Sequence, residues 1–145
     1  MKSISVRRAI NNDFNELTEI WFEASIIAHS FIPDSYWEKN KVKMQETYLP
    51  MSEVYVAEDS KNIYGFIALV DNHIASIFVL PSHQGKGIGK ILVNYAKGIR
   101  KSLDLNVYQK NISSVNFYES VGFKIVSETR DNETDSKEFL MRWEF

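Results

Sequence analysis

The sequence predicts a mixed α/β fold: a central sheet of about seven strands with helices on both faces, in the order β-α-α-β-β-β-α-β-α-β-β. Three observations carry this. Short segments with period-two apolar alternation recur at 3–8, 53–58, 63–70, 74–80, 105–108, 123–129 and 138–145. Stretches with apolar residues three and four apart separate them, at about 13–29, 34–48, 87–103 and 113–121. Tight turns join the three central strands, whereas the next strand lies beyond a long helix. Antiparallel and parallel pairing must therefore coexist in one sheet.

Each element has a local cause. Ile4, Val6 and Arg8 alternate with Ser5 and Arg7 in the first strand. Asn11, Asn12 and Asp13 supply cap chemistry, and Phe14, Leu17, Ile20, Trp21, Ala24, Ile27 and Ala28 follow as one apolar stripe. After Pro33, a second helix carries Tyr36, Trp37, Val42, Met44 and Tyr48, and Pro50 is expected to end it. Val54 and Val56 mark the next strand. Residues 63–70 and 74–80 complete a meander, with Asp71-Asn72-His73 as its turn and Pro81 as its stop. The long helix opens near Gly87 and buries Ile88, Ile91, Leu92, Tyr95, Ile99 and Leu103. A short strand, a helix stopping at Gly122 and a final hairpin across 130–136 close the chain.

A chain of 145 residues fits one domain spanning 1–145. Hydrophobic residues make up 44% and charged residues 25%, which is ordinary for a soluble globular protein. The net charge of -2 gives no electrostatic footprint for nucleic acid. The absence of cysteine removes disulfides, thiolate metal sites and a Cys nucleophile. The three histidines lack metal-ligand spacing, so no metal site is expected. No apolar run approaches the ~20 residues that cross a bilayer, and the N-terminus lacks a secretory apolar core. A cytoplasmic protein without a membrane partner is the default expectation.

The most informative segment is Val79-Leu80-Pro81-Ser82-His83-Gln84-Gly85-Lys86-Gly87-Ile88-Gly89-Lys90, between a strand and a helix. Glycines there let the backbone turn with its N–H groups inward, and the helix start adds free donors. That is a site for a phosphate or pyrophosphate, although a plain strand-to-helix turn has the same composition. A Walker A loop is excluded because Ile91 follows Gly89-Lys90 and Gln84 stands at its first glycine. A dinucleotide fingerprint is excluded by the Gly85-x-Gly87-x-Gly89 spacing.

What does match is Gln84 to Gly89 as Q/R-x-x-G-x-G, which resembles the acyl-CoA pyrophosphate motif of the GCN5-related N-acetyltransferases (GNAT). Residues 111–123, Asn111-Ile112-Ser113-Ser114-Val115-Asn116-Phe117-Tyr118-Glu119-Ser120-Val121-Gly122-Phe123, resemble that family's N-x-x-A-x-x-F-Y-E-x-x-G-F segment, with Ser114 at the usual alanine. The element order agrees along essentially the whole chain. Trp21-x-x-Ala24-Ser25-x-x-Ala28-His29-x-Phe31-Ile32, Tyr36-Trp37 and residues 107–111 are similar to the YiaC/YjaB-type bacterial branch, associated with acetylation of protein lysines.

The resemblance implies an enzyme that moves an acetyl group from acetyl-CoA to a primary amine by direct attack in a ternary complex. The acceptor would be a protein lysine, a protein N-terminus or a small amine. A sensor that binds acyl-CoA without turnover is the alternative. In the family, the strand before the glycine turn carries a bulge and splays from the next strand, and the pantetheine arm lies in the gap. That assigns cofactor contacts to Ile77, Phe78 and Val79, with a backbone N–H near Phe78 bonding the acetyl oxygen. Gln84, Gly85, Lys86, Gly87, Ile88, Gly89 and Lys90 would hold the pyrophosphate, and Asn111, Ser114 and Phe117 would line the arm. Tyr118 takes the family's position beside the sulfur, where a hydroxyl can donate as the thiolate leaves.

The base is the departure. Several members place Glu five residues before the motif Asn, and here that position is Asn106, which has no basicity at neutral pH. His29 is the substitute named by the sequence, with Glu53 or Glu58 acting through water as a further route. His73 and His83 read as surface residues. Residues 29–37 and 130–136 should rim the acceptor groove, with Asp131, Glu133 and Asp135 favouring a cation. The state is a monomer or a homodimer.

Overall fold

The structure, a computed structural model, describes residues 3–145. Seven strands form one sheet in the order β1-β2-β3-β4-β5-β7-β6. They are β1 (Ser5–Arg8), β2 (Glu53–Glu58), β3 (Ile63–Val70), β4 (His73–Val79), β5 (Ser102–Tyr108), β6 (Lys124–Arg130) and β7 (Lys137–Glu144). All neighbours are antiparallel except β4 and β5, which are parallel. The predicted order and layering are observed.

Helices cover both faces, so the central strands are apolar almost throughout; β3 is buried from Ile63 to Leu69. On one face, α5 (Ile88–Ile99) and α6 (Ile112–Ser120) pack Ile88, Leu92, Val93, Ala96 and Val115 against Ile67, Leu105 and Phe123. On the other, α1 (Phe14–Ala28) and α2 (Asp34–Lys39) pack Leu17, Ile20, Trp21 and Trp37 against Val54, Val56 and Phe66. Burying each Val, Leu, Ile or Phe side chain among these contributes on the order of 1.5–3 kcal/mol. Asn11–Asp13 form a 3₁₀ turn, and the Asp13 carboxylate accepts from the Ile10 N–H at 2.8 Å while pairing with Arg7 at 2.9 Å. Arg7 also holds Glu58 at 2.9 Å, which ties the helix entry to the sheet.

The second helix differs from its expected form. Asn40 turns its side-chain amide back to the Tyr36 carbonyl at 2.7 Å, and the α2 geometry stops there. The chain resumes as α3 (Lys41–Lys43), widens into a π turn (Met44–Tyr48) and continues through Pro50 in α4 (Leu49–Met51). Pro50 does not end the helix, because it stands at the start of α4, where its missing N–H is tolerated. Leu103 belongs to β5 and not to the long helix, which stops at Ile99; its burial comes from the strand alternation Leu103, Leu105, Val107. His73 opens β4 and is no part of a turn.

Candidate active site

The parallel ladder between β4 and β5 consists of one bridge, His73↔Asp104, reinforced by the Asp104 N–H donating to the Asn72 carbonyl at 3.0 Å. Beyond it the strands part. Opposite β3, Ala68 faces Ser76 and Leu69 faces Ile74, so Ala75 is the extra residue of a β-bulge. The expected bulge and splayed strands are thus present. The gap opens into a cleft of about 980 Å³ between the two helical layers. Ile77, Phe78 and Val79 line one wall, and Leu105, Asn106, Val107 and Tyr108 line the other.

The glycine turn closes one end. Gly85 and Gly87 have φ of +79° and +88°, a left-handed backbone that side chains rarely adopt. A Cβ at either would meet nothing within 4 Å, so the turn is an open cradle. Gln84 braces it by donating from Nε2 to the Val79 carbonyl at 3.1 Å. Gly87 caps α5, whose first-turn N–H groups have no intrahelical partner and carry the positive end of the dipole. A Cβ at Gly89 would lie 3.2 Å from the Phe117 ring, so α5 and α6 approach closely only because that side chain is absent. Gln84, Gly85, Gly87, Ile88, Gly89 and Lys90 all line the cleft; Lys86 does not. An anionic, diphosphate-bearing ligand with a long uncharged arm fits this donor set and gap.

Asn111, Ser114, Phe117 and Tyr118 reach the cleft from α6. Asn111 caps that helix: its Oδ1 accepts from the Ser114 N–H at 3.3 Å. Its Nδ2 lies 3.2 Å from His29 Nε2, so the two helical layers are joined across the cleft. The Tyr118 ring packs against Phe117 and Phe123 at ring distances of 5.4 Å and 5.9 Å. Desolvation raises its pKa, which keeps the phenol protonated and able to donate.

His29 also lines the cleft, but it is buried against Trp37 and Tyr108 at ring distances of 5.2 Å and 5.0 Å. Burial lowers its pKa to about 4. Nε2 accepts from Asn111, and Nδ1 is buried without a partner. This geometry suits a brace for Asn111 better than a base. Glu53 and Glu58 do not line the cleft: Glu53 accepts from the Tyr55 hydroxyl and holds Arg100 at 3.0 Å, and Glu58 holds Arg7. The water route through them has no support in this arrangement.

Two cleft residues were not singled out by the sequence. His73 Nδ1 lies 2.5 Å from Asp104 Oδ1, with the His73 side chain half-exposed toward the cleft. Glu138, opposite Tyr108 on β7, lines the cleft as well. Desolvation and the nearby Asp131 raise its pKa, while His73 opposes that shift. No short motif announces either residue, since 31 positions separate His73 from Asp104. His83 stacks on Tyr64 at 4.4 Å and also reaches the cleft. Among the described residues no group of three or more His, Asp or Glu is placed to hold a metal ion.

Two hydroxyl–carboxylate bonds join side chains far apart in sequence. Tyr36 donates to Glu133 at 2.5 Å, and Tyr108 donates to Asp131 at 2.7 Å. These bonds tie the 130–136 loop to α2 and β5.

The sequence profile of the Acetyltransferase (GNAT) domain matches residues 50–125. The chain belongs to the GNAT family. It is therefore an acetyl-CoA-dependent N-acetyltransferase, with acetyl-CoA as co-substrate. It is 32% identical over 139 residues, 95% of each chain, to the peptidyl-lysine N-acetyltransferase YiaC of Escherichia coli. The solution structure of apo YjaB from Escherichia coli superposes with a TM-score of 0.88 at 27% identity, over 98% of each chain. The PaiA N-acetyltransferase of Thermoplasma acidophilum, solved with coenzyme A, shares the fold with a TM-score of 0.84 at 22% identity, over 99% of this chain and 100% of that one. Among the described residues, no helix of this GNAT protein is long and apolar enough to cross a membrane.

Proposed function

We propose that this GNAT enzyme acetylates lysine side chains of proteins. The observation that carries the reading is the rim: Asp131, Glu133 and Glu138 gather beside a cleft whose other end is a phosphate cradle. One end suits an anionic donor and the other a cationic acceptor. The YiaC and YjaB relatives named as peptidyl-lysine acetyltransferases support the same reading.

Acetyl-CoA supplies the acetyl group as a thioester. In the transfer the amine nitrogen bonds the carbonyl carbon, the carbon–sulfur bond breaks, the ammonium loses a proton and the thiolate gains one. The chain's residues serve those needs. Gly85, Gly87 and the start of α5 hold the pyrophosphate, with Gln84, Ile88, Gly89 and Lys90 around them and Lys86 at the outer edge. Ile77, Phe78 and Val79 face the arm, and a backbone N–H near Phe78 bonds the carbonyl oxygen. Phe117 and Ser114 wall the arm, and Asn111 orients it while His29 holds Asn111. Tyr118 donates to the departing sulfur.

His73 accepts the proton in place of the carboxylate that Asn106 lacks. With Asp104 accepting from Nδ1–H, Nε2 is free for the acceptor or a bridging water. Glu138 offsets the charge that forms. A lysine amine has a pKa near 10.4, so at pH 7 it arrives mostly as ammonium, which the carboxylates favour, and it gives one proton to His73 or water before its nitrogen attacks. We further propose that residues 1–145 act as a single domain in the cytoplasm, as a monomer or homodimer, without a nucleic-acid or membrane partner. The slight acidity and the absence of cysteine support this.

The test is incubation with acetyl-CoA and a lysine peptide, read by mass spectrometry and by thiol release. Acetylation at the lysine Nζ is expected, with Tyr118→Phe slowed roughly a hundredfold while acetyl-CoA binding persists. Acetylation confined to small free amines would refute the protein acceptor.

A further inference from the structure

Beside the cleft, on the α1 face of the sheet, lies a second cavity of about 370 Å³. Its walls include Trp21, Trp37, Met44, Tyr48, Met51 and Val70. Glu133 is the one charged residue lining it among those described, and the Tyr36 hydroxyl already binds that carboxylate. Trp21, Trp37, Ala75 and Ser76 line both cavities. The two spaces therefore meet at the β4 bulge, where Ala75 contributes only a methyl group. Met51, Tyr48 and Val70 are 75%, 47% and 45% exposed, an apolar surface the fold leaves uncovered. Two of the wall residues, Met44 and Tyr48, come from the π turn, a helix irregularity that recurs at functional sites. Trp37, in the shared wall, has a buried indole N–H without a partner among the described residues.

We propose that this cavity is an acceptor subsite for an uncharged apolar side chain, aliphatic or aromatic, carried within two residues of the acceptor lysine. The inference rests on the protein-lysine reading and adds to it a sequence preference. Continuity decides the occupant. An acceptor whose lysine enters the cleft places its neighbours over Ala75 and Ser76, since an extended chain advances only ~3.3 Å per residue. The chemistry of the walls decides the class: sulfur, aliphatic and aromatic surface accepts an apolar side chain, and water is released when it fills. Charge decides what is refused. An acidic neighbour would meet Glu133, whose side-chain partner is the Tyr36 hydroxyl and not a cation.

The experiment measures kcat/KM on a peptide set in which the residues one and two positions from the lysine are Leu, Ala or Glu. It uses the full chain with acetyl-CoA and compares wild type, Ala75→Leu and Met51→Ser. Leu peptides should exceed Ala peptides about tenfold, mainly through KM, with Glu peptides below both. Ala75→Leu, which fills the shared wall, should collapse the Leu-to-Ala ratio toward one, and Met51→Ser should lower it. Met51 is exposed, so that variant keeps the test valid if Ala75→Leu does not fold. A wild-type ratio within about twofold, or a tenfold ratio indifferent to both variants, overturns the subsite while leaving lysine acetylation standing. If no lysine peptide is acetylated but a small aromatic amine is, the protein acceptor fails and the subsite fails with it.

Discussion

The two helical layers shape the cleft by different means. On the α5–α6 side the phosphate cradle is backbone, two left-handed glycines and the open end of a helix, beside the Asn111 side chain that caps α6. On the α1–α2 side the working parts are side chains paired over long distances, such as Tyr36 with Glu133 across 97 positions and His29 with Asn111 across 82. The first arrangement suits an anion, because its donors are backbone N–H groups. The second presents rings and carboxylates that meet across the fold. A cofactor layer fixed by backbone geometry and an acceptor layer set by side chains can therefore be perturbed separately.

The largest expected effect breaks the acceptor side alone. His73→Gln should lower kcat about a hundredfold, as loss of a proton acceptor does, while the acetyl-CoA Kd stays as in wild type. Steady-state kinetics with equilibrium titration separates the two quantities. A fall in both would place His73 on the cofactor side.

The next effect is a dependence on pH that belongs to the bridge between the layers. The folded pKa of His29, about 4, lies below its unfolded value near 6.5. Between those values the unfolded chain binds the proton and the folded one does not, so stability rises with pH across that window. It is complete above pH 6.5 and falls away toward pH 4, by roughly 2–3 kcal/mol. Urea denaturation at pH 7 and pH 4.5 should show a steeper acid loss for wild type than for His29→Gln.

A smaller effect isolates the cofactor side. Gly87→Val forces a β-branched residue to a φ of +88°, which costs on the order of 1–2 kcal/mol before any loss of contact with phosphate. Acetyl-CoA should bind about tenfold more weakly, and the peptide KM at saturating cofactor should not change. Smallest is Asn111→Ala, which removes the α6 cap at about 1 kcal/mol and leaves His29 unbraced. Thermal unfolding should register it, with a modest loss of kcat.

The cofactor layer was legible in the sequence for the same reason that it is robust. Positive φ demands glycine at 85 and 87, close packing on Phe117 demands it at 89, and a helix cap demands a short polar side chain at 111, so Gly85, Gly87, Gly89 and Asn111 announce themselves by type and spacing. The sheet was legible from alternation, and even the misassigned Leu103 is buried as its apolar character requires. The second helix was not, because Asn40 stops α2 with a side-chain bond that competes with the helix, and Pro50 falls where a proline does no harm. His73 read as a turn residue because Asp71 and Asn72 precede it. Its significance comes only from Asp104, which the crossover brings alongside. Glu138 and the tyrosine–carboxylate pairs are invisible for the same reason: their partners are set by topology, not by spacing.

The backbone of the glycine turn sets how tightly acetyl-CoA binds, and the exposed side chains of the second cavity do not. A thermal-shift titration with acetyl-CoA on wild type, Gly87→Val and Met51→Ser tests it most directly. Wild type and Met51→Ser should stabilise along the same titration curve, by about 2.7 kcal/mol at a hundred times Kd, and Gly87→Val should need about ten times more ligand. No shift in wild type at millimolar acetyl-CoA, or three coincident curves, would contradict it.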